Sequence, residues 1–284
     1  MKIRSLLTAI FFMSSLLWPL FLCAGDSSLY FVIDNLKQST VMILVLNEKG
    51  QEIPLGSGFM ATKDGLVVTA NHVVSIDKAY LDNIRCKLPN GDKYKFAILK
   101  SNDKQDIAIL KIDHNKKDFK FLQLGNYSEV REGDDVLFSG FPRSLPFLTI
   151  HKGMISSKYH TKFTSLNLEG DWLQIDGSIN RGNSGGPVVN MKDGKVIGII
   201  NFIPAGIGEK LKKLRENILQ QRKSGVQVTV KIAGIVDPVD SILDLINILD
   251  DTISVGIGHS ISITHIKNDL DTLKTAVPNN RPKD

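Results

Sequence analysis

Short apolar runs separated by turn signals fill residues 40–124. Val41–Leu46 and Gly58–Met60 come first, Leu66–Val68 follows, then Lys93–Leu99 and Ile107–Ile112. Asn47-Glu48-Lys49-Gly50, Lys63-Asp64-Gly65 and Pro89-Asn90-Gly91-Asp92 stand between them. Glycine and asparagine tolerate the backbone conformations that tight turns require, so this spacing predicts an antiparallel barrel or sandwich. A second set of strands is predicted at Asp134–Gly140, Thr149–Ile155, Trp172–Ile175, Pro187–Val189 and Lys195–Asn201.

The periodicity changes after Phe202. Leu211, Leu214, Ile218 and Leu219 recur at helical spacing within Glu209–Lys223, and Ser224-Gly225 is a stop signal. Val226–Ile232 reads as a strand. Asp237-Pro238 reads as an N-cap with proline at the first helical position, followed by the stripe Val239, Ile242, Leu243, Ile246 and Leu249. The expectation for 203–253 is a helical lid or brace on the second barrel. Its alternatives are a partner-docking surface or a basic amphipathic face on a membrane.

The start of the chain has a third pattern. Lys2 and Arg4 precede the uncharged apolar run Leu6–Leu22, and Cys23-Ala24-Gly25 are small. This reads as an export signal over 1–25, cut after Ala24 or Gly25. An uncleaved anchor and a lipoprotein at Cys23 are the alternatives. Leu29–Ile33 is predicted as a strand or helix packed on the barrel. The tail 276–284 is expected to be disordered.

Composition narrows the class. The chain has 284 residues, 42% hydrophobic and 23% charged, which suits a packed globular protein. Losing Lys2 and Arg4 with the signal takes the 35 basic residues to 33 against 30 acidic, a net charge of about +3. Basic and acidic residues are interspersed, so no nucleic-acid partner is expected. A cut before Asp26 leaves Cys86 as the only cysteine, expected to be a buried small apolar residue. No metal cluster or phosphate loop stands out, and no cofactor is expected. His151, His160, His259 and His265 are dispersed and read as structural or surface residues.

The chemistry concentrates in three stretches. Asn180-Arg181-Gly182-Asn183-Ser184-Gly185-Gly186-Pro187 sets a serine among glycines. A serine hydroxyl becomes a nucleophile only beside a base and an anion-stabilising pocket, and the amides of Gly182 and Ser184 are candidates for that oxyanion hole. His72 ends the run Val67-Val68-Thr69-Ala70-Asn71. Asp106 precedes the strand Ile107–Ile112. The order His72, Asp106, Ser184 is that of a chymotrypsin-type triad of base, orienting carboxylate and nucleophile.

With these flanks the chain resembles the trypsin-like serine proteases, most closely the HtrA/Deg branch. The matching segments are GSGFMATKDGLVVTANHVV, DIAILKI, GDDVLFSGFP, HKGMISSKY, LQIDGSINRGNSGGPVV and GKVIGIINF. Val255–Ser262 resembles that family's last barrel strand, and Thr264–Leu273 its closing helix. The resemblance implies two antiparallel six-stranded β-barrels, the first within 26–126 and the second within 127–275, with the site between them. It implies a serine endopeptidase acting on unfolded or extended polypeptide, in protein quality control or secreted proteolysis, periplasmic or secreted. In the family pattern Ser178, beside Ile179, is the floor of the primary pocket, and Ile199, Ile200 and Asn201 form its wall. That implies cleavage after Val, Ile, Ala or Leu. Arg181 replaces the usual proline, at the cleft rim. Tyr30 and Phe31 correspond to aromatics through which relatives trimerise. Phe141–Phe147 resembles an activation loop that orders the oxyanion hole. After Leu273 the chain is expected to carry no PDZ domain. The rival reading is a chaperone-like or scaffold binding protein using 203–253, and a glutamate-specific protease is a weaker one.

Overall fold

A computed structural model of the chain describes residues 24–76, 82–114, 118–142, 145, 147–164, 167–201, 206–223, 230–231, 235–236, 238–252 and 257–276. Residues 1–23 of the expected export signal, the tail beyond Ala276 and Phe202 lie outside the described residues. The described residues open with helix α1 (Ala24–Ser39), which runs through the expected cleavage point. Leu29, Val32, Ile33 and Leu36 recur at helical spacing and pack toward the core, while Tyr30 and Phe31 are 63% and 67% exposed.

The first half is an antiparallel sheet. Its strands are β1 (Thr40–Leu46), β2 (Glu52–Met60), β3 (Leu66–Ala70), β4 (Ile84–Lys87), β5 (Lys93–Tyr94), β6 (Phe96–Asn102) and β7 (Ile107–Ile112), with the single turn α2 (Asn71–Val74) after β3. The sheet order is β5-β4-β1-β2-β3-β7-β6. Here the structure departs in detail from six closed strands. Among the described residues there are seven, and β5 and β6 are edges. β5 is two residues long and β6 is almost wholly exposed, with a register shift between Ile98 and Lys100, so neither edge extends the ladder to the other.

The second half closes. β8 (Asp135–Gly140), β9 (Thr149–Phe163), β10 (Leu168–Asp176), β11 (Pro187–Asn190), β12 (Val196–Asn201) and, later in the chain, the strand at Ile257–Ser262 form a barrel of six. Closure gives every one of these strands two partners. Between β12 and that last strand come α3 (Gly206–Lys223), the ribbon of β13 (Val230–Lys231) and β14 (Ile235–Val236), and α4 (Pro238–Thr252), which starts at the proline that marked it. The barrel's last strand is thus β15, and α5 (Thr264–Ala276) closes the chain. Arg222 on α3 bonds Asp240 on α4 at 2.6 Å. Ile246 is buried, but Leu214, Leu219 and Ile242 stay exposed, so the apolar stripes of 203–253 are only partly covered.

One core cluster joins the halves: Leu36, Phe59 and Ile109 from the α1 and sheet side meet Trp172, Ile199 and Ile261 from the barrel. Separate clusters fill the sheet and the barrel. Cys86 is buried as expected, and burial pushes its thiol up to about 12.

Candidate active site

Pairing of β3 with β7 brings His72 and Asp106 together. Ala70 sits opposite Ile107, so the residue before Ile107 faces the turn that follows Ala70. Asp106 has φ +52°, a left-handed conformation that aspartate tolerates better than most residues and that concentrates at functional sites. Its backbone oxygen accepts from Asn71 N at 3.1 Å, and its carboxylate spans the histidine. Oδ1 accepts from His72 N at 2.7 Å, and Oδ2 lies 2.6 Å from His72 Nδ1. Asp106 is 6% exposed, whereas about half of the His72 side chain faces solvent.

Asp106 takes a further donor from the barrel. Asn201, at the end of β12 and 2% exposed, donates from Nδ2 to Asp106 Oδ2 at 2.7 Å. A buried carboxylate needs its oxygens satisfied, and these donors fix its plane. The side chain of Asn201 therefore orients the aspartate, and it also lines the cleft.

Ser184 lies in the loop between β10 and β11. Its carbonyl accepts from Ser57 N at 2.8 Å, and the loop is tied to β12 by reciprocal bonds, Gly185 N to Ile200 O and Ile200 N to Gly186 O, both 2.8 Å. Gly182 has φ +97° and Gly185 φ +85°. A Cβ on Gly185 would lie 2.2 Å from Ser57 O, so glycine is required there by conformation and by space. Among the described residues, the amides of Gly182 and Ser184 donate no hydrogen bond. Two unoccupied donors beside a serine hydroxyl are what an oxyanion would use. Asn183 between them is fully buried, and neither its Oδ1 nor its Nδ2 finds a partner among the described residues.

Ser57 is a joint that the sequence reading missed. It is fully buried on β2; its hydroxyl donates to Gly182 O at 2.6 Å and accepts from Phe141 N at 2.8 Å. Thr69 Oγ1 donates to Ser57 O at 2.6 Å. One serine of the sheet thus touches the nucleophile loop and the start of the Phe141–Phe147 loop, whose residues 143, 144 and 146 lie outside the described set. The signal was Gly56-Ser57-Gly58, where small residues permit close approach, but nothing local named the partners.

A cleft of about 520 Å³ contains His72, Asp106, Gly182 and Ser184, with Arg181 and Asn201 on its wall. Other expected pocket residues do not line it. Ser178 is exposed outside it, and Ile179 packs in the barrel core against Gly258. Ile199 and Ile200 are fully buried, Ile199 in the core between the halves and Ile200 in the barrel core. All of β12 is buried on both faces, so its side chains serve the core before they serve a cleft. Tyr159 Oη lies 2.8 Å from His259 Nδ1, and His160 Nδ1 lies 2.9 Å from Asp171 Oδ1. Burial lowers the affinity of His151 and His259 for a proton.

Residues 56–199 match the trypsin-like peptidase domain, and the chain belongs to that family. Curated relatives that it matches include HtrA and DegP-like proteases. Human "Serine protease HTRA3" is 39% identical over 165 residues, covering 56% of this chain and 36% of the relative. The "Probable periplasmic serine endoprotease DegP-like" of Chlamydia muridarum is 35% identical over 194 residues, 66% of this chain and 37% of the relative. The chain thus spans little more than a third of the length of these relatives. The solved structure of the HtrA-type protease AlgW with tripeptide superposes with a TM-score of 0.59 over 85% of this chain and 62% of that one. At 22% identity that likeness establishes the fold.

Proposed function

We propose that this chain is a serine endopeptidase that cleaves unfolded or extended polypeptide through Ser184, His72 and Asp106. The observation that carries the reading is the buried Asp106 carboxylate bonded to both His72 N and Nδ1, in one cleft with Ser184. Ser184 Oγ attacks the scissile carbonyl while His72 Nε2 accepts its proton. The carbonyl oxygen becomes an oxyanion between the amides of Gly182 and Ser184, where one donor is worth about 2.7–4 kcal/mol of transition-state stabilisation. Collapse breaks the C–N bond, and His72 returns the proton to the leaving amine. Water, deprotonated by His72, then attacks the acyl-serine ester and restores the hydroxyl. Asp106 holds the imidazole with Nδ1 protonated and stabilises the imidazolium, and Asn201 holds Asp106.

The substrate binds in the cleft as an extended strand, so the segment cut must be unfolded or looped out. The family pattern carries the preference for small aliphatic P1 residues; Ser178, Ile199 and Ile200 themselves lie outside the cleft. That preference is shallow, because a methylene discriminates by about 1–3 kcal/mol. Export is supported by the Lys2–Gly25 pattern and by the periplasmic names of relatives. The exposed Tyr30 and Phe31 side chains support assembly of copies into a trimer through α1.

The test is cleavage of unfolded casein by the chain lacking residues 1–25, beside Ser184→Ala, with fragments read by mass spectrometry. The expected result is loss of about 10⁶-fold in kcat in the variant and cuts after Val, Ile, Ala or Leu. Cleavage that survives in Ser184→Ala would overturn the triad. A folded wild-type chain that never cleaves, yet binds unfolded protein, would favour the scaffold reading.

A further inference from the structure

The active-site cleft holds one carboxylate that the triad does not use, alongside the guanidinium of Arg181. It belongs to Asp103, three residues before Asp106. Its Oδ1 accepts from Asn71 Nδ2 at 2.6 Å, and Asn71 is the residue before His72. Among the described residues Asp103 forms no ion pair, and its side chain is exposed. A carboxylate in a catalytic cleft, held by one oxygen and open at the other, is a preorganised acceptor for a cation.

Its turn is held from several sides. Asn102 Oδ1 accepts from Lys104 N at 3.0 Å and from Gln105 N at 3.1 Å, closing an Asx turn around Asp103. Lys104 O accepts from Glu169 N at 2.8 Å, which fastens the turn to β10 of the barrel. Asp103 therefore stands on a turn that bridges the two halves and lines the cleft.

We propose that Asp103 is a specificity residue that reads the substrate side chain at P2 and selects lysine or arginine there. This rests on the proteolytic reading above. In an extended substrate successive side chains point to opposite faces. With P1 directed into the primary pocket beside Ser184, P2 points the other way, toward His72 and the residue bonded to its neighbour Asn71. A lysine or arginine at P2 meets Asp103; a glutamate meets like charge and is rejected. Selection is thus two-part: a shallow apolar preference at P1 and a charge preference at P2.

Quenched-fluorescence peptides with valine at P1 and lysine, alanine or glutamate at P2 test this on the chain lacking residues 1–25. The expected order of kcat/KM is lysine, alanine, glutamate, with about tenfold between the ends, the scale of a partly exposed ion pair plus a like-charge penalty. Raising NaCl from about 0.05 M to about 0.5 M compresses the ratio, because a solvent-facing pair is screened. Asp103→Asn keeps an acceptor for Asn71 and brings the ratio close to one, and Asp103→Lys inverts it. An unchanged lysine-to-glutamate ratio in Asp103→Asn overturns the proposal and leaves Asp103 as an anchor for Asn71 alone. Ser184→Ala provides an arm independent of turnover: fluorescence anisotropy of the same peptides should show tighter binding of the lysine peptide, lost on adding Asp103→Asn. Peptides that bind with the charge preference but are never cut uphold the subsite and sink the protease reading. Equal binding of lysine and glutamate peptides sinks the subsite.

Discussion

The half of the molecule that carries His72 and Asp106 is an open sheet; the half that carries Ser184 is a closed barrel. The open half supplies its two site residues from adjoining strand ends, so ordinary β3–β7 pairing is enough to set their distance. The closed half supplies Ser184 from a loop, which has no ladder of its own and borrows rigidity. It takes one bond from β2, two from β12, and support from a buried hydroxyl of the opposite half. His72 and Asp106 can thus be placed by local register, while Ser184 beside two unoccupied amides must be placed by contacts between halves.

Three substitutions probe that difference, beginning with the most damaging. Gly185→Ala forces a side chain at φ +85° into the Ser57 carbonyl and should break the junction itself. Expected destabilisation is about 3–5 kcal/mol, read as a shift in the denaturant midpoint; a variant within 1 kcal/mol of wild type, at about the resolution of such scales, would show the junction to be soft. Ser57→Ala leaves the buried Phe141 amide and Gly182 carbonyl without their partner. Each orphan costs about 1–3 kcal/mol, and kcat should fall more steeply than stability if, as proposed, the Gly182 amide is an oxyanion donor. Equal, small effects on both would make Ser57 a core residue only. Asn201→Ala removes the barrel's donor to Asp106 and leaves the two His72 bonds in place. About a tenfold fall in kcat with KM nearly unchanged is expected. A change in KM alone would return Asn201 to the substrate-binding wall.

Much of the fold was legible. β1, β3, β7, β8 and β12 announce themselves as β-branched runs between glycine or asparagine turns, and α4 by its proline at the first position. The short edges β5 and β6 were read as one strand, Lys93–Leu99, because a bulge and a two-residue strand leave no periodic trace. That His72, Asp106 and Ser184 would stand in one cleft was legible because each carries its own flanking motif. Ile199 and Ile200 were assigned to the pocket wall, yet β12 is buried on both faces. In such a strand the alternation that separates core from surface is missing, so sequence gives no sign of which side chain faces a cleft.

Residue types and local spacing determined which groups carry chemistry, and strand pairing between near neighbours determined that His72 would meet Asp106. Only the tertiary structure decided what holds those groups. Asn201 reaches Asp106 across 95 positions, and Ser57 reaches Gly182 across 125. The reason is physical: a hydrogen bond forms within about 3 Å, and at such separations only closure of the barrel against the sheet brings donor to acceptor.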